Sequence, residues 1–248
     1  MGLLSVRNVS LRFGGIVALD EVSFEVDEGG IVGLIGPNGA GKTTVFNVIT
    51  RLYKPDAGEV EFDGTTLLRT APHRVVSRGI ARTFQNVELF PTMTVLENVL
   101  VGAHSGRRLK LEQAARREAH EVLDYVGVAR LADRPAHGLP FGTLKRIELA
   151  RALASKPRLL LLDEPAGGLN HEEVGELGRF IRRLRDELKL TVLLVEHHMN
   201  LVMSVSDHVH VLNFGRKIAS GSPQEVQRNP DVIEAYLGGE LEAVPGTA

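Results

Sequence analysis

Apolar and polar residues alternate in two stretches near the start of the chain, at Val9, Leu11 and Phe13 and again at Val22, Phe24 and Val26. A period of two marks a strand buried on one face, so both stretches are expected to be half-exposed antiparallel strands. The run "GGIVGLIG" (29–36) breaks the alternation. It is apolar almost throughout, as a strand covered on both faces must be. "GEVEFDG" (58–64) alternates again between two glycines. The first third therefore predicts a β-rich flap joined to a buried sheet.

From about Asn86 to Ser155 the period lengthens. "VLENVLVGA" (95–103) and "KLEQAARREAHEVLDYVG" (110–127) space their apolar residues as helices do, and Gly127 stands where a helix C-terminus favours a left-handed residue. A third helix is expected from Thr143, with Leu144, Ile147, Ala150 and Leu153 on one face. Together these predict a small helical lobe inserted into an α/β core. Fully buried strands return in "RLLLLDEP" (158–165) and "TVLLVEHH" (191–198), with a charged helix from about Glu172 to Leu188 between them. "HVHVLNFGRKIASG" (208–221) predicts a hairpin turning near Gly215, and the tail "VPGTA" a frayed end.

Composition narrows the classes of function. The chain has 248 residues, 43% of them hydrophobic, enough for one large α/β domain or a core with an appended lobe. A formal net charge of -2 and the absence of Trp, with 3 Tyr, speak against a nucleic-acid partner, which needs a basic face or stacking platforms. The chain has no Cys, which excludes disulfides and thiolate metal sites. No apolar run approaches the ~18 residues of a membrane span, and the first residues lack a secretory signal. A soluble, cytoplasmic protein is expected, which reaches a membrane only through another protein.

The most informative stretch is "GPNGAGKTT", Gly36 to Thr44. It matches G-x-x-x-x-G-K-[ST] through Gly36, Gly41, Lys42 and Thr43, with a buried strand before it and a helical stretch after it. Its backbone N–H groups would wrap phosphate oxygens, Lys42 would reach the β and γ oxygens, and Thr43 would hold Mg²⁺. Asn38, Gly39 and Thr44 complete the stretch assigned to the nucleotide, and the helix dipole adds to it. In "LLLLDEP" Asp163 and Glu164 emerge at the C-terminal end of a buried strand, where open α/β sheets bind ligands. Asp163 would orient Mg²⁺ through water, and Glu164 would polarise the attacking water. Gln85 lies where the core passes into the helical lobe and could bind Mg²⁺ or water. His197 follows an inner strand and could hydrogen-bond a γ-phosphate.

One stretch has two readings. "LPFGTLKRIELARAL" (139–153) puts Lys145 and Arg146 near the start of a helix, the end that already carries partial positive charge. The cations either form a solvated face, with Lys145 and Glu148 paired one turn apart, or mark an anion site.

The order of phosphate loop, Gln85, "LPFG" plus helix, "LLLLDEP", "GLN" and His197 resembles the ATPase subunits of ABC transporters over essentially the whole chain. "RFGGIVALDEVSFEV", "ARTFQNVELFPTMTVLENV" and "NPDVIEAYLG" (229–238) look like the ATPases that power branched-chain amino acid import. The resemblance implies a P-loop NTPase (RecA-like) α/β core with an antiparallel β subdomain, over 1–85 and 156–248, and a helical subdomain over 86–155. It implies ATP and Mg²⁺, with Thr43, Gln85 and Asp163 as metal residues, Glu164, His197 and Gln85 as catalytic ones, and Phe13 stacking on adenine. The stretch ending at Thr143 corresponds to a signature usually read Leu-Ser-Gly-Gly-Gln, which faces the γ-phosphate held by a second subunit. Gly142 is retained, while Pro140, Phe141 and Thr143 replace the serine, a glycine and the glutamine. Asn170 stands where many relatives carry an Asp.

The partners implied are transmembrane permease subunits, a second ATPase subunit in a homodimer or heterodimer, and indirectly a substrate-binding protein, at the cytoplasmic face of the plasma membrane. The segment Asn86 to Glu97, with Leu89, Phe90 and Met93, is where a permease helix is expected to dock. A lipid exporter subunit and a soluble assembly factor with the same engine are alternatives.

Overall fold

The structure is a computed structural model that describes residues 2–105 and 112–241. The expected frayed tail "VPGTA" and the first two residues of the expected helix 110–127 lie outside the described residues. The chain forms two compact units, one of Met1–Pro72 with Asn170–Ala248, the other of His73–Leu169.

The first unit opens with two long strands, β1 (Gly2–Phe13) and β2 (Ile16–Asp27), paired antiparallel. Val9, Leu11, Val22, Phe24 and Val26 are buried, as their alternation predicts, whereas Phe13 is exposed. The next strand, β3 (Ile31–Ile35), is buried at every position. The helix α1 (Lys42–Ile49) follows, then β4 (Ala57–Phe62) and the short β5 (Thr65–Thr66). The antiparallel sheet has the order β2-β1-β4-β5.

The second unit holds β6 (Ile80–Arg82), the helices α2 (Val95–Ser105), α3 (Glu112–Tyr125) and α4 (Phe141–Ala154), and β7 (Leu159–Asp163), which runs parallel to β6. Gly127 ends α3 with φ 77°: its N–H reaches the Asp124 carbonyl and the next N–H, of Val128, reaches that of Leu123. This pair of bonds satisfies carbonyls that the helix leaves open. α4 begins at Phe141, two residues before the expected start. Pro140 caps it in an extended conformation and lends its carbonyl to the Leu144 N–H at 3.0 Å, a place where its missing N–H costs nothing. Past the first turn, Ile147 through Ala150 are all buried, so the helix is covered on more than one side.

The first unit resumes with α5 (His171–Leu188), β8 (Thr191–Val195), α6 (Met199–Val205), β9 (His208–Asn213), β10 (Arg216–Gly221), α7 (Pro223–Arg228) and α8 (Pro230–Leu241). β3 lies between β8 and β9, parallel to both, and β10 returns antiparallel to β9. The β9–β10 hairpin turns through Phe214 and Gly215, both at positive φ, the conformation a two-residue turn requires. Asn170 and Glu173 form a reciprocal cap at the start of α5. No helix among the described residues is long and apolar enough to cross a membrane.

Candidate functional site

In the first unit, the chain leaves β3 at Gly36 and enters α1 at Lys42. Gly36 has φ 152°, and a Cβ there would lie 2.1 Å from the Leu212 carbonyl oxygen, so no side chain fits. Gly41 caps α1 with φ 101°, a conformation that glycine adopts without strain. The turn thus leaves the first N–H groups of α1 facing outward, a ready anion cradle. Lys42 is buried and folds back, its Nζ donating to the Gly36 carbonyl at 2.7 Å and the Pro37 carbonyl at 2.8 Å. Thr43, Asn38 and Gly39 are exposed and Thr44 is half-exposed.

Two further groups belong to this unit. Phe13 is 45% exposed, and its ring meets Tyr53 edge-on at 5.1 Å. It is therefore not a buried strand residue but an open aromatic face. His197 lies two residues beyond the end of β8 and is exposed. The preceding Glu196 is fully buried and shapes the turn, its Oε2 accepting the N–H groups of His197 and His198 at 2.8 and 3.0 Å.

The second unit carries the carboxylates. Asp163 ends β7 and is buried. Arg82, at the end of β6, donates from Nη2 to Asp163 Oδ2 at 2.6 Å, while Asp163 Oδ1 is buried without a hydrogen-bond partner. Glu164 follows in a left-handed conformation, φ 45°, unusual for a glutamate and a small reservoir of strain. Its Oε2 accepts from Gln85 Nε2 at 2.7 Å. The fold thus joins Gln85 and Glu164, which stand 79 positions apart in the chain.

At the start of α4, Gly142 is exposed, and a Cβ there would meet nothing within 4 Å. No side chain caps this helix, so its first turn presents bare N–H groups beside Pro140 and Thr143. Lys145 donates to the Glu164 carbonyl at 3.1 Å and lies 5.2 Å over the Phe141 ring. Glu148 is 2% exposed, with its carboxyl pushed up by burial against the pull of nearby N–H groups and of Arg151. The solvated-face reading of this stretch therefore does not hold, because one supposed partner is in the core.

The sequence reading did not single out Arg82, Glu196 or Tyr53, and it named Glu148 only as a surface partner of Lys145. Glu148 carries a usable signal: it stands between Ile147 and Leu149, and a buried charge demands a partner. Tyr236 lies in "NPDVIEAYLG" on α8, where its hydroxyl is buried by the Gly36 backbone without completing a hydrogen bond.

A glycine cradle at the start of a helix, and an Asp-Glu pair at a strand end bonded to a distant Gln, describe a nucleotide-hydrolysing cassette. Residues 19–167 match the ABC transporter family. The ADP conformation of an ATP-binding cassette of an ABC transporter superimposes with a TM-score of 0.86 at 33% identity, covering 96% of this chain and 99% of that one. A dimeric post-hydrolysis state of another cassette, bound to ADP and Pi, gives 0.79 at 28% identity over 89% of this chain and 98% of that one. The chain belongs to the ABC transporter family, as a nucleotide-binding, ATP-hydrolysing cassette with the P-loop NTPase fold. Residues 216–242 match the branched-chain amino acid ATP-binding cassette transporters. The high-affinity branched-chain amino acid transport ATP-binding protein BraF of Pseudomonas aeruginosa is 44% identical over 95% of this chain and 98% of its own length.

Proposed function

We propose that the chain is the ATP-hydrolysing subunit that energises uptake of branched-chain or related amino acids through separate permease subunits. The observation that carries this reading is its near-full-length similarity to BraF, which extends through the C-terminal segment. The subunit would sit at the cytoplasmic face of the plasma membrane, held there by the permease. One phosphate loop and one signature stretch per chain call for a second ATPase subunit, the same or a different one. A substrate-binding protein would act upstream.

In this reading Gly36, Asn38, Gly39, Gly41, Lys42, Thr43 and Thr44 hold the phosphates, and Phe13 stacks on adenine. Lys42 exchanges its two carbonyl partners for phosphate oxygens, so the loop is already shaped before binding. Glu164 is the base that polarises the attacking water, Gln85 orients that water through its bond to Glu164, and His197 hydrogen-bonds the γ-phosphate. Pro140, Gly142 and Thr143 face the nucleotide of the partner subunit. The residues present fit a divalent cation, since Arg82 occupies one oxygen of Asp163 and leaves the other buried and unpartnered. Thr43, Gln85 and Asp163 are assigned to Mg²⁺, which when bound neutralises phosphate charge. The segment Asn86 to Glu97 receives a permease helix, with Phe90 exposed and Leu89 and Met93 half-buried.

The experiment is uptake of labelled leucine, isoleucine and valine into proteoliposomes holding this chain with the permease and ATPase subunits encoded beside it. ATP-dependent uptake, lost in Glu164→Gln, is expected. ATP hydrolysis without uptake of any of the three would overturn the substrate class and leave the hydrolytic reading standing.

A further inference from the structure

The chain between β6 and α2, residues 83–94, forms no helix or strand. Gln85 depends on it, because a side chain is only as well placed as its backbone. A loop of this length needs its polar backbone groups satisfied, and its anchors lie on other elements. The Thr83 N–H donates to the Leu161 carbonyl of β7 at 3.0 Å. Asn98, fully buried on α2, accepts from the Phe90 N–H at 2.8 Å and donates to the Phe90 and Thr94 carbonyls at 3.0 and 2.9 Å. Between these anchors, one oxygen of Glu148 accepts both the Phe84 N–H at 3.4 Å and the Glu88 N–H at 3.3 Å. Arg151, one turn further along α4, donates to the Glu88 carbonyl and lies 3.5 Å from the same Glu148 oxygen.

We propose that Glu148, supported by Arg151, is a positioning residue for ATP hydrolysis: it brackets Gln85 from both sides and holds it in register with Glu164. A leucine of similar volume would fill the same space without desolvating a charge. What leucine cannot supply is an acceptor for two N–H groups four positions apart. The same helix carries Pro140, Gly142 and Thr143 in its first turn, so the signature stretch and the Gln85 loop ride on one rigid element. This inference rests on the reading of Gln85 and Glu164 as hydrolytic residues.

The test uses the full-length chain, ATP with Mg²⁺, and four variants: Glu148→Leu, Glu148→Gln, Gln85→Ala and the double variant Gln85→Ala/Glu148→Leu. Glu148→Leu is expected to lower kcat roughly 10- to 100-fold, the scale of a misplaced catalytic group. KM for ATP should change by less than about twofold, because the loss is confined to the hydrolytic step. Glu148→Gln keeps one acceptor oxygen and should recover most of the rate. In the Gln85→Ala background Glu148→Leu should cost less than about twofold, since its effect passes through Gln85. Amide exchange at Phe84 and Glu88 should quicken in Glu148→Leu and remain slow in Glu148→Gln. A wild-type kcat in Glu148→Leu, or an equal loss with and without Gln85, overturns the proposal while leaving the hydrolytic reading intact. Normal turnover in Gln85→Ala overturns both.

Discussion

The glycine loop of the first unit and the side-chain cluster of the second are built in opposite ways. The phosphate loop between β3 and α1 is made of backbone: glycines at positive φ, the N–H groups of a helix start, and one lysine folded onto carbonyls of its own loop. The cluster is made of side chains drawn from several elements, with Arg82 from β6, Asp163 from β7, Gln85 from a loop and Glu148 from α4. The first offers an anion groups that nearly every residue possesses, its backbone N–H groups, and so depends on conformation. The second places particular functional groups, and so depends on which partners hold them. The shape of the first fails when a side chain is added at Gly36, whereas the second fails when a partner is removed.

The sharpest test separates binding from hydrolysis. Glu164→Gln should leave ATP binding by the glycine loop intact and lower turnover roughly 10²–10⁴-fold, the usual worth of a general base. Equilibrium dialysis with ATP and a phosphate-release assay read the two properties, and near-normal turnover would remove Glu164 from its role. In that background Gly142→Asp should abolish ATP-dependent dimerisation, read by light scattering. A Cβ at Gly142 has open space, so the thermal midpoint of the monomer should not move, and full dimerisation would show that α4 does not face phosphate.

The next test concerns stability. Arg82→Ala strands a buried carboxylate and should cost about 3–5 kcal/mol, and Gly36→Ala drives a methyl into the Leu212 carbonyl and should cost about 3 kcal/mol or more. The two should part in rescue. The pair Arg82→Met with Asp163→Leu should regain stability without activity, because apolar residues can replace a buried ion pair. No side-chain change elsewhere relieves Gly36→Ala, because backbone is the obstacle. Urea unfolding measures both, and rescue of neither would erase the distinction.

His210 supplies a side-chain network within the backbone-built unit. It shares Ser220 with His208, its Nε2 meets the Glu25 carbonyl, and it packs by Phe24. Burial, with His208 and Lys217 nearby, pushes its imidazole down to about 4 against the Glu25 carbonyl. The unfolded chain therefore takes up a proton near 6.5 that the folded chain refuses. The contribution is complete above pH 6.5 and is lost as pH falls toward 4, amounting to about 2 kcal/mol by pH 5. Unfolding free energies at pH 7.5 and 5.0 should show this loss, and His210→Gln should flatten it. An equal slope in the variant would place the effect elsewhere. The smallest effect is expected from Pro140→Ser. A hydroxyl gains a charged hydrogen bond of roughly 1.5–3 kcal/mol, offset by the lost rigidity of proline, roughly 0.4–1 kcal/mol. Dimerisation in the Glu164→Gln background should tighten by about tenfold, the middle of that difference, and a weakened dimer would show that Pro140 itself shapes the contact.

The amino-acid pattern by itself determined what is local. Period-two runs became β1, β2 and β4, continuous apolar runs became β3, β7 and β8, Gly127 ended α3, and the phosphate loop was legible because its residues are contiguous and conformation-bound. The early start of α4 was not legible, since the apolar pattern begins at Leu144 while Pro140 sets the cap. Only the tertiary structure decided which acid meets which base or amide. Arg82 finds Asp163 at a separation of 81 positions, Gln85 finds Glu164 across 79, and Glu148 leaves its expected helical neighbour Lys145 for N–H groups 60 and 64 positions away. The reason is physical: a periodic pattern encodes which face of an element is buried, whereas the partner of a buried charge is fixed only once distant elements pack and withdraw it from water.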